Sequence, residues 1–149
     1  MPIGLTYEFS YRAMLKPPVD IGGGRMFFEV VGGDDVDGER LKGRVLTGGG
    51  DWLLVGADGF GRLDVRAQIE THDGAAVYLQ YFGLLEMNDV VTGALESGSG
   101  TDWEDHYFRS APRLETGDER HAWVNTTLFV AEGHAVAGNG VEYKVYSVD

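Results

Sequence analysis

The segment from Leu63 to Thr71 alternates apolar and polar side chains without a break, and no other feature of the chain constrains the fold as strongly. One face carries four apolar residues: Leu63, Val65, Ala67 and Ile69. The other face carries four polar residues: Asp64, Arg66, Gln68 and Glu70. Because successive side chains of a strand point to opposite faces, this alternation predicts a strand with one buried face. Asp64 and Arg66 share the polar face, where they are close enough to pair with each other or to bind one ligand.

The excess of acidic residues and the absence of cysteine restrict the partners and cofactors that the chain is expected to bind. Acidic residues outnumber basic ones 24 to 12 among 149 residues, and nucleic acid or an anionic membrane would need a basic surface, so neither is expected as a partner. The absence of cysteine excludes disulfides, thiolate metal sites and cysteine nucleophiles. The four histidines lack the spacing of metal ligands, so we expect no metal and no cofactor. No charged leader and no apolar segment of membrane length is present, which favours a cytoplasmic location.

Further strands are predicted by alternating or apolar segments that glycine-rich turns separate. They cover residues 5–11, 25–31, 41–47, 52–55, 63–71, 76–83, 107–114 and 121–130, with a pair around 137–148. Hairpin turns are indicated where a residue that tolerates positive φ precedes glycine: Asp58-Gly59, Asp73-Gly74 and Asn139-Gly140. Residues 88–97 predict one short helix with Asn88 as N-cap and Gly98 at its far end. Residues 1–149 are therefore predicted to form a single all-β domain, an antiparallel up-and-down β-barrel with one short helix.

The predicted turn at Asp73-Gly74 also sets a register. A two-residue turn there places Arg66 opposite Tyr81 and Asp64 opposite Gly83. Directly opposed residues share a face of the sheet, so Asp64, Arg66 and Tyr81 are expected to form one patch. One extra residue in the turn would shift the register and separate them.

Polar and aromatic side chains on the predicted strands are candidates for a ligand site. Besides Asp64 and Arg66, the candidates are Trp52, Tyr81, Tyr107, Arg109, Trp123 and Asn125. Tyr107 and Arg109 share a face of one predicted strand, and Trp123 and Asn125 share a face of the next with His121. The alternative is that Asp64 and Arg66 form an exposed ion pair worth under about 1 kcal/mol, while the aromatic residues fill a core.

Six short motifs follow one another along the chain: Gly49-Gly50-Asp51-Trp52, Leu63-Asp64-Val65-Arg66, Asp73-Gly74, Tyr81 with Gly83, Tyr107-Phe108-Arg109 and Trp123-Val124-Asn125. Their order and spacing resemble domain-of-unknown-function family 3237, a group of small uncharacterised bacterial and fungal proteins. The similarity continues to the closing Tyr143-Lys144-Val145-Tyr146 and so covers nearly the whole chain. It implies a calycin-like barrel, the architecture of the lipocalins that carry small molecules, and it implies no established activity. A barrel of about eight strands holds one small ligand, so the resemblance favours Asp64 and Arg66 inside the lumen.

The expected function is therefore the binding of a small organic ligand, anionic or aromatic, in a pocket lined by the candidate residues. Guanidinium groups suit a planar carboxylate or an enolate oxygen, and tryptophan and tyrosine supply flat walls for a phenolic or carbonyl compound. In an enzymatic form Asp64 would act as general acid or base, while Arg66 and Arg109 stabilise a developing oxyanion. Isomerase, lyase or cyclase chemistry of this kind needs no cofactor.

Two non-catalytic alternatives remain open at the level of sequence. The chain is either a ligand carrier, or an interaction module that forms homo-oligomers. In the second case the apolar face of Leu63–Thr71, with Tyr78 and Phe82 beyond it, would be the subunit interface. The face of this strand that points into the barrel decides between these alternatives.

Overall fold

The computed structural model describes residues 2–149 and contains ten β-strands and two short helices. The strands are β1 (Leu5–Leu15), β2 (Val19–Gly22), β3 (Arg25–Gly38), β4 (Lys42–Val45), β5 (Gly50–Val55), β6 (Phe60–Thr71), β7 (Ala76–Glu86), β8 (Phe108–Glu115), β9 (Phe129–Val136) and β10 (Gly140–Val148). Helix α1 (Asp89–Ser97) follows β7, and a 3₁₀ helix (Glu119–Thr126) lies between β8 and β9. In the described part of the chain, no helix is long and apolar enough to cross a membrane.

All strand pairs are antiparallel, and the wall of the barrel closes through β1, which pairs with both β10 and β3. From β10 to β6 each strand pairs with its neighbour in sequence. The short strands β4 and β5 occupy the same place in the wall, between β3 and β6, and β2 is an additional strand beside β3. The predicted single antiparallel barrel is thus confirmed, and closure leaves few free strand edges.

The predicted helix α1 is confirmed, and each predicted turn lies at a hairpin, but all three hairpin loops have three residues instead of two. The side chain of Asn88 accepts a hydrogen bond from the backbone N–H of Val91, and Gly98 ends the helix in the left-handed conformation. Asn139 has a φ of 64°, as a turn before glycine requires. These elements depend on neighbouring residues, which explains why the sequence predicts them.

One predicted strand is wrong. The sequence predicts a single strand over residues 121–130, but the 3₁₀ helix occupies most of this range and β9 begins only at Phe129. The side chain of Asp118 caps the helix by accepting from the N–H of Arg120. Two short helical turns meet here at a kink at His121, and the buried residues, His121 and Val124, do not alternate with exposed ones as in a strand.

The first strand divides its aromatic residues between the two faces of the wall. A bulge between Tyr7 and Phe9 shifts the alternation, so that Tyr7 is half-exposed outside while Phe9 and Tyr11 are buried inside. The interior of the barrel is filled by apolar side chains from every long strand. Among them lie a few polar groups, which form the candidate site.

Candidate functional site

A cavity with a volume of about 40 Å³ lies inside the barrel. That is about three times the roughly 10–15 Å³ that one water molecule needs, so the cavity has room for more than a single water molecule. Its walls are mainly apolar and include Phe28, Leu53, Leu63, Val65, Leu85 and Phe108. Three polar residues also line it: Asp51, Tyr81 and Tyr143.

The strand register brings Asp51 and Tyr81 to the same inner face. Asp51 of β5 lies opposite Val65 of β6, and Val65 lies opposite Tyr81 of β7. Directly opposed residues share a face, and all three are buried. The preceding Gly49 has a φ of +87°, and a Cβ atom there would clash with the carbonyl oxygen of Arg66. Only glycine therefore permits the close strand approach that carries Asp51 into the wall.

Asp51 is the buried carboxyl group of this cavity, with 8% of its surface exposed. Burial raises the pKa of Asp51 to about 7, because water no longer solvates the charged form. A hydrogen bond from the backbone N–H of Asp64 to Oδ1, 3.1 Å long, opposes this rise, and the charge of Arg25 opposes it further. The charge of Asp64 adds to the rise. A carboxyl group in this state exchanges protons near neutral pH.

Three tyrosines, Tyr11, Tyr81 and Tyr143, form an aromatic cluster beside Asp51. The rings of Tyr11 and Tyr143 are stacked with centroids 5.0 Å apart, and Tyr81 meets Tyr143 edge-on at 5.1 Å. Burial holds the pKa of each phenol well above its usual range, so all three stay protonated. The hydroxyls of Tyr11 and Tyr143 are buried and have no hydrogen-bond partner among residues 2–149. A Cβ atom at Gly133 would come within 2.9 Å of the Tyr143 ring, so glycine makes room for the cluster.

Asp64 and Arg66 do not reach the cavity. They lie on the outer face of the barrel, each about half-exposed, with a single contact of 3.4 Å between them. The predicted register is wrong by one residue, because the hairpin loop has three residues, His72 to Gly74, and Thr71 bonds to Ala75 across it. Tyr81 accordingly faces inward while the ion pair faces solvent.

Trp52, Tyr107 and Arg109 also lie on the outer face. Trp52 packs on Phe27 with ring centroids 4.9 Å apart and is 38% exposed. The guanidinium of Arg109 stands 5.4 Å from the ring centre of Tyr107, and both residues line a shallow groove outside the barrel wall. Of the eight residues predicted for one pocket, only Tyr81 lines the interior cavity.

Trp123 and Asn125 belong to the 3₁₀ helix instead of a strand. Trp123 packs against the core, and the guanidinium of Arg40 stacks on its ring at 3.6 Å. The side chain of Asn125 accepts from the N–H of Thr116 and donates to the carbonyl of the same residue, each at 2.9 Å. Both residues therefore hold the segment between β8 and β9 in place.

Metal binding has no support from the arrangement of side chains. Within residues 2–149, no three histidine, aspartate or glutamate side chains come together as ligands. The residues that line the cavity add only oxygen atoms of one carboxyl and two phenols.

The strand predicted over 52–55 is two residues too short, which is why Asp51 is not among the site residues predicted from the sequence. Asp51 shares a strand face with Leu53, so an acidic residue stands on the apolar side of a strand. Tyr11 and Tyr143 carry no comparable signal, because they meet only when β1 pairs with β10.

The family model described as a protein of unknown function (DUF3237) matches residues 3–148. The chain belongs to this family. A UPF0311 protein of Clostridium acetobutylicum is 35% identical over 133 residues, which cover 85% of this chain and 84% of that protein.

Solved structures resemble the barrel over its full length. A conserved protein of unknown function from Rhodopseudomonas palustris is 30% identical, with a TM-score of 0.90 over 100% of this chain and 99% of that one. A structure described as an enzyme from Penicillium herquei is 21% identical, with a TM-score of 0.69 over 100% and 96% of the two chains. At 21% identity the likeness concerns the fold alone.

Proposed function

We propose that the protein binds a small organic molecule inside the barrel and transfers a proton on it without a cofactor, with Asp51 as the acid–base group. The observation that carries this proposal is a carboxyl group that faces a cavity and has a pKa of about 7. General acid–base catalysis is most effective when the pKa of the group lies near the working pH. Burying a carboxyl group opposes folding at neutral pH, and such costs are concentrated at functional sites.

The reaction class that fits this site is proton abstraction next to a carbonyl group, followed by return of the proton to another atom. In the first step a C–H bond of the ligand breaks and an O–H bond forms on the ionised carboxylate of Asp51. The electron pair moves into a new C=C bond, and negative charge develops on the ligand oxygen. Where a second C=C bond of the ligand is conjugated with the new one, Asp51 returns the proton to its far carbon and the two double bonds shift, so the product is an isomer of the substrate and no oxidant, reductant or metal is consumed.

The structural relative from Penicillium herquei gives limited support to an enzymatic function. That protein is described as an enzyme, and its barrel resembles this one. The description applies to that protein, and it does not specify a reaction. It agrees with a catalytic use of the barrel interior.

The runner-up is non-catalytic carriage of an apolar ligand, which the mainly apolar cavity wall favours. Carriage does not require Asp51. An apolar residue at this position would also contact an apolar ligand, and it would avoid the free-energy cost of burying a carboxyl group. Homo-oligomer formation through the apolar face of Leu63–Thr71 lacks support, because these side chains fill the barrel interior. Phe82 stays a surface candidate for self-association, since it is 57% exposed on the outer face.

Proton exchange into deuterated water tests the proposal with simple ketones in place of the natural substrate. Small cyclic ketones, namely cyclopentanone, cyclohexanone and 2-cyclohexenone, are incubated with the protein, and loss of the signal from protons next to the carbonyl is followed by NMR. We expect exchange above the buffer rate with the wild type, and a rate lower by about 10²–10⁴-fold with Asp51→Asn.

The matched control is Asp64→Asn, which removes the same charge from the outer face of the adjacent strand and should keep the rate within a few-fold. Equal rates for the wild type and Asp51→Asn, or a wild-type rate equal to that of buffer, would exclude the proposed role of Asp51.

A further inference from the structure

The hydroxyls of Tyr11 and Tyr143 are unusual because they are buried and have no hydrogen-bond partner among residues 2–149. Buried polar groups are nearly always paired, since a lost hydrogen bond to water is otherwise not replaced. Tyr143 lines the cavity, and the ring of Tyr11 is stacked on it from behind at 5.0 Å. Tyr143 is thus a residue of the cavity wall whose hydroxyl makes no direct hydrogen bond to another described residue, with the Tyr81 phenol close enough to influence its pKa.

The charge around the cavity restricts the ligand that this donor serves. No arginine, lysine or histidine is among the described residues that line the cavity, whereas Asp51 is. The arginines predicted to hold a carboxylate, Arg66 and Arg109, lie on the outer face of the barrel. A carboxylate ligand would thus place a second negative charge beside Asp51 with no cation among the described residues of the cavity wall. The charge of Arg25 acts on Asp51 from outside this lining.

We propose, building on the acid–base function of Asp51, that the interior site selects uncharged carbonyl compounds and rejects carboxylates, with the Tyr143 hydroxyl donating a hydrogen bond to the carbonyl oxygen. Tyr11 acts as a positioning residue, because its stacked ring fixes the orientation of Tyr143. Tyr81 closes the cluster from the other side, edge-on to Tyr143.

This arrangement also suits the charge that develops during proton transfer. When Asp51 takes a proton from the carbon next to the carbonyl, the carbonyl oxygen becomes negative. A neutral phenol that is already oriented toward this oxygen strengthens its hydrogen bond as the charge grows. The substrate class inferred from the binding side therefore matches the reaction inferred from the acid–base group.

Three ring compounds of similar size test the selectivity. Cyclohexanone offers an uncharged oxygen acceptor, methylenecyclohexane replaces that oxygen with CH₂, and cyclohexanecarboxylate carries a negative charge. Binding is measured at pH 8 by ligand-observed NMR titration. We expect cyclohexanone to bind about tenfold more tightly than methylenecyclohexane, as one or two hydrogen bonds would produce, and cyclohexanecarboxylate to bind more weakly than both.

Tyr143→Phe removes only the hydroxyl and should reduce the affinity for cyclohexanone to that for methylenecyclohexane, while the affinity for methylenecyclohexane stays unchanged. Tyr7→Phe removes an exposed hydroxyl outside the barrel and serves as the control. If Tyr143→Phe loses both ligands through misfolding, the three affinities of the wild type still test the inference. The inference is overturned if the wild type binds cyclohexanone no more tightly than methylenecyclohexane, or if it binds cyclohexanecarboxylate more tightly than cyclohexanone.

The binding and exchange experiments fail separately. Exchange that depends on Asp51 without a preference for the ketone would overturn the role of Tyr143 and leave Asp51 as the acid–base group. A preference for the ketone without wild-type exchange would overturn the acid–base function while the selectivity stands.

Discussion

Asp51 of β5 and Asp64 of the adjacent strand β6 are linked by a hydrogen bond of 3.1 Å, which the carboxylate of Asp51 accepts from the backbone N–H of Asp64. Their side chains nevertheless point to opposite sides, with Asp51 buried beside the cavity and Asp64 about half-exposed to solvent. The two carboxyl groups thus lie on adjacent strands, but one is buried in the barrel and the other is in contact with solvent. They form a matched pair for experiments that separate an interior role from a surface role.

The contribution of Asp51 to stability should fall as the pH rises from about 4 to about 7, whereas the lowered pKa of buried His106 contributes with the opposite sign. Burial raises the pKa of Asp51 from 3.8 to about 7, so within this window the folded protein binds one proton more than the unfolded chain. The free energy of unfolding then decreases with pH, in total on the order of 4 kcal/mol. Urea unfolding at pH 5 and pH 8 measures the larger part of this change, about 3 kcal/mol. Asp51→Asn should flatten this slope, whereas Glu96→Gln, on the exposed side of α1, should leave it unchanged.

Other carboxyl groups affect stability at lower pH and with the opposite sign. Hydrogen bonds from Arg120 hold the pKa of Asp118 at about 2, so its contribution is present above the unfolded pKa and is lost as the pH falls. A slope between pH 5 and pH 8 that is identical in the wild type and Asp51→Asn would contradict the raised pKa of Asp51.

The ion pair of Asp64 and Arg66 should contribute little to stability. Exposed pairs are screened by water and salt, and this pair has one contact of 3.4 Å with both side chains about half-exposed. Arg66→Met is expected to change the free energy of unfolding by less than about 1 kcal/mol, as measured by urea titration. The same variant should retain ligand binding in the interior. A loss of ligand binding in Arg66→Met would show that this arginine contributes to the ligand site.

His121 should stabilise the end of the barrel through Asp73. Nε2 of the buried His121 ring lies 2.9 Å from Oδ1 of Asp73, which joins the 3₁₀ helix to the turn between β6 and β7. His121→Leu leaves the Asp73 carboxylate without this partner and should lower the free energy of unfolding by about 1–3 kcal/mol. His72→Leu, in the same turn but exposed, is the control. Equal stability of the two variants would show that the bond to Asp73 contributes nothing.

The sequence predicts the elements of this fold better than it predicts their register. The cap at Asn88 depends on neighbouring residues and is confirmed, and Asn139 has the positive φ expected of it, although its hairpin loop is 137–139. The patch of Asp64, Arg66 and Tyr81 depends on a two-residue turn, and the three-residue loop ending at Gly74 places Tyr81 on the opposite side of the wall. The length of a turn thus decides which side chains of the next strand point into a barrel, and the alternation of residues does not predict that length.

The candidate site depends on still longer-range pairing. Tyr11 lies opposite Tyr143, and these residues belong to the first and last strands, which meet only when the barrel closes. Local periodicity indicates that each has a buried face but not that they share one. Asp51 precedes the strand predicted over 52–55, and only the longer β5 of the structure places it on the same face as Leu53.

Leu95 of α1 should control the size of ligand that the barrel admits. It lines both the cavity beside Asp51 and a second cavity of about 30 Å³, and Leu15, Phe28 and Val141 border both spaces as well. Leu95→Ala removes part of this shared wall, so the two cavities should merge. The larger ketone 1-tetralone is then expected to bind about tenfold more tightly than to the wild type, while the affinity for cyclohexanone changes less.

The variant should also lose about 1–3 kcal/mol of stability, less than a fully buried leucine, because Leu95 is only partly buried. Val90→Ala shortens a half-exposed side chain on the same helix and provides the control for effects on α1 itself. NMR titration of both ketones against the wild type and the two variants measures the selectivity. Unchanged selectivity in Leu95→Ala would show that this side chain does not limit the space for the ligand, whereas a gain shared with Val90→Ala would indicate loosening of the helix and not removal of the wall.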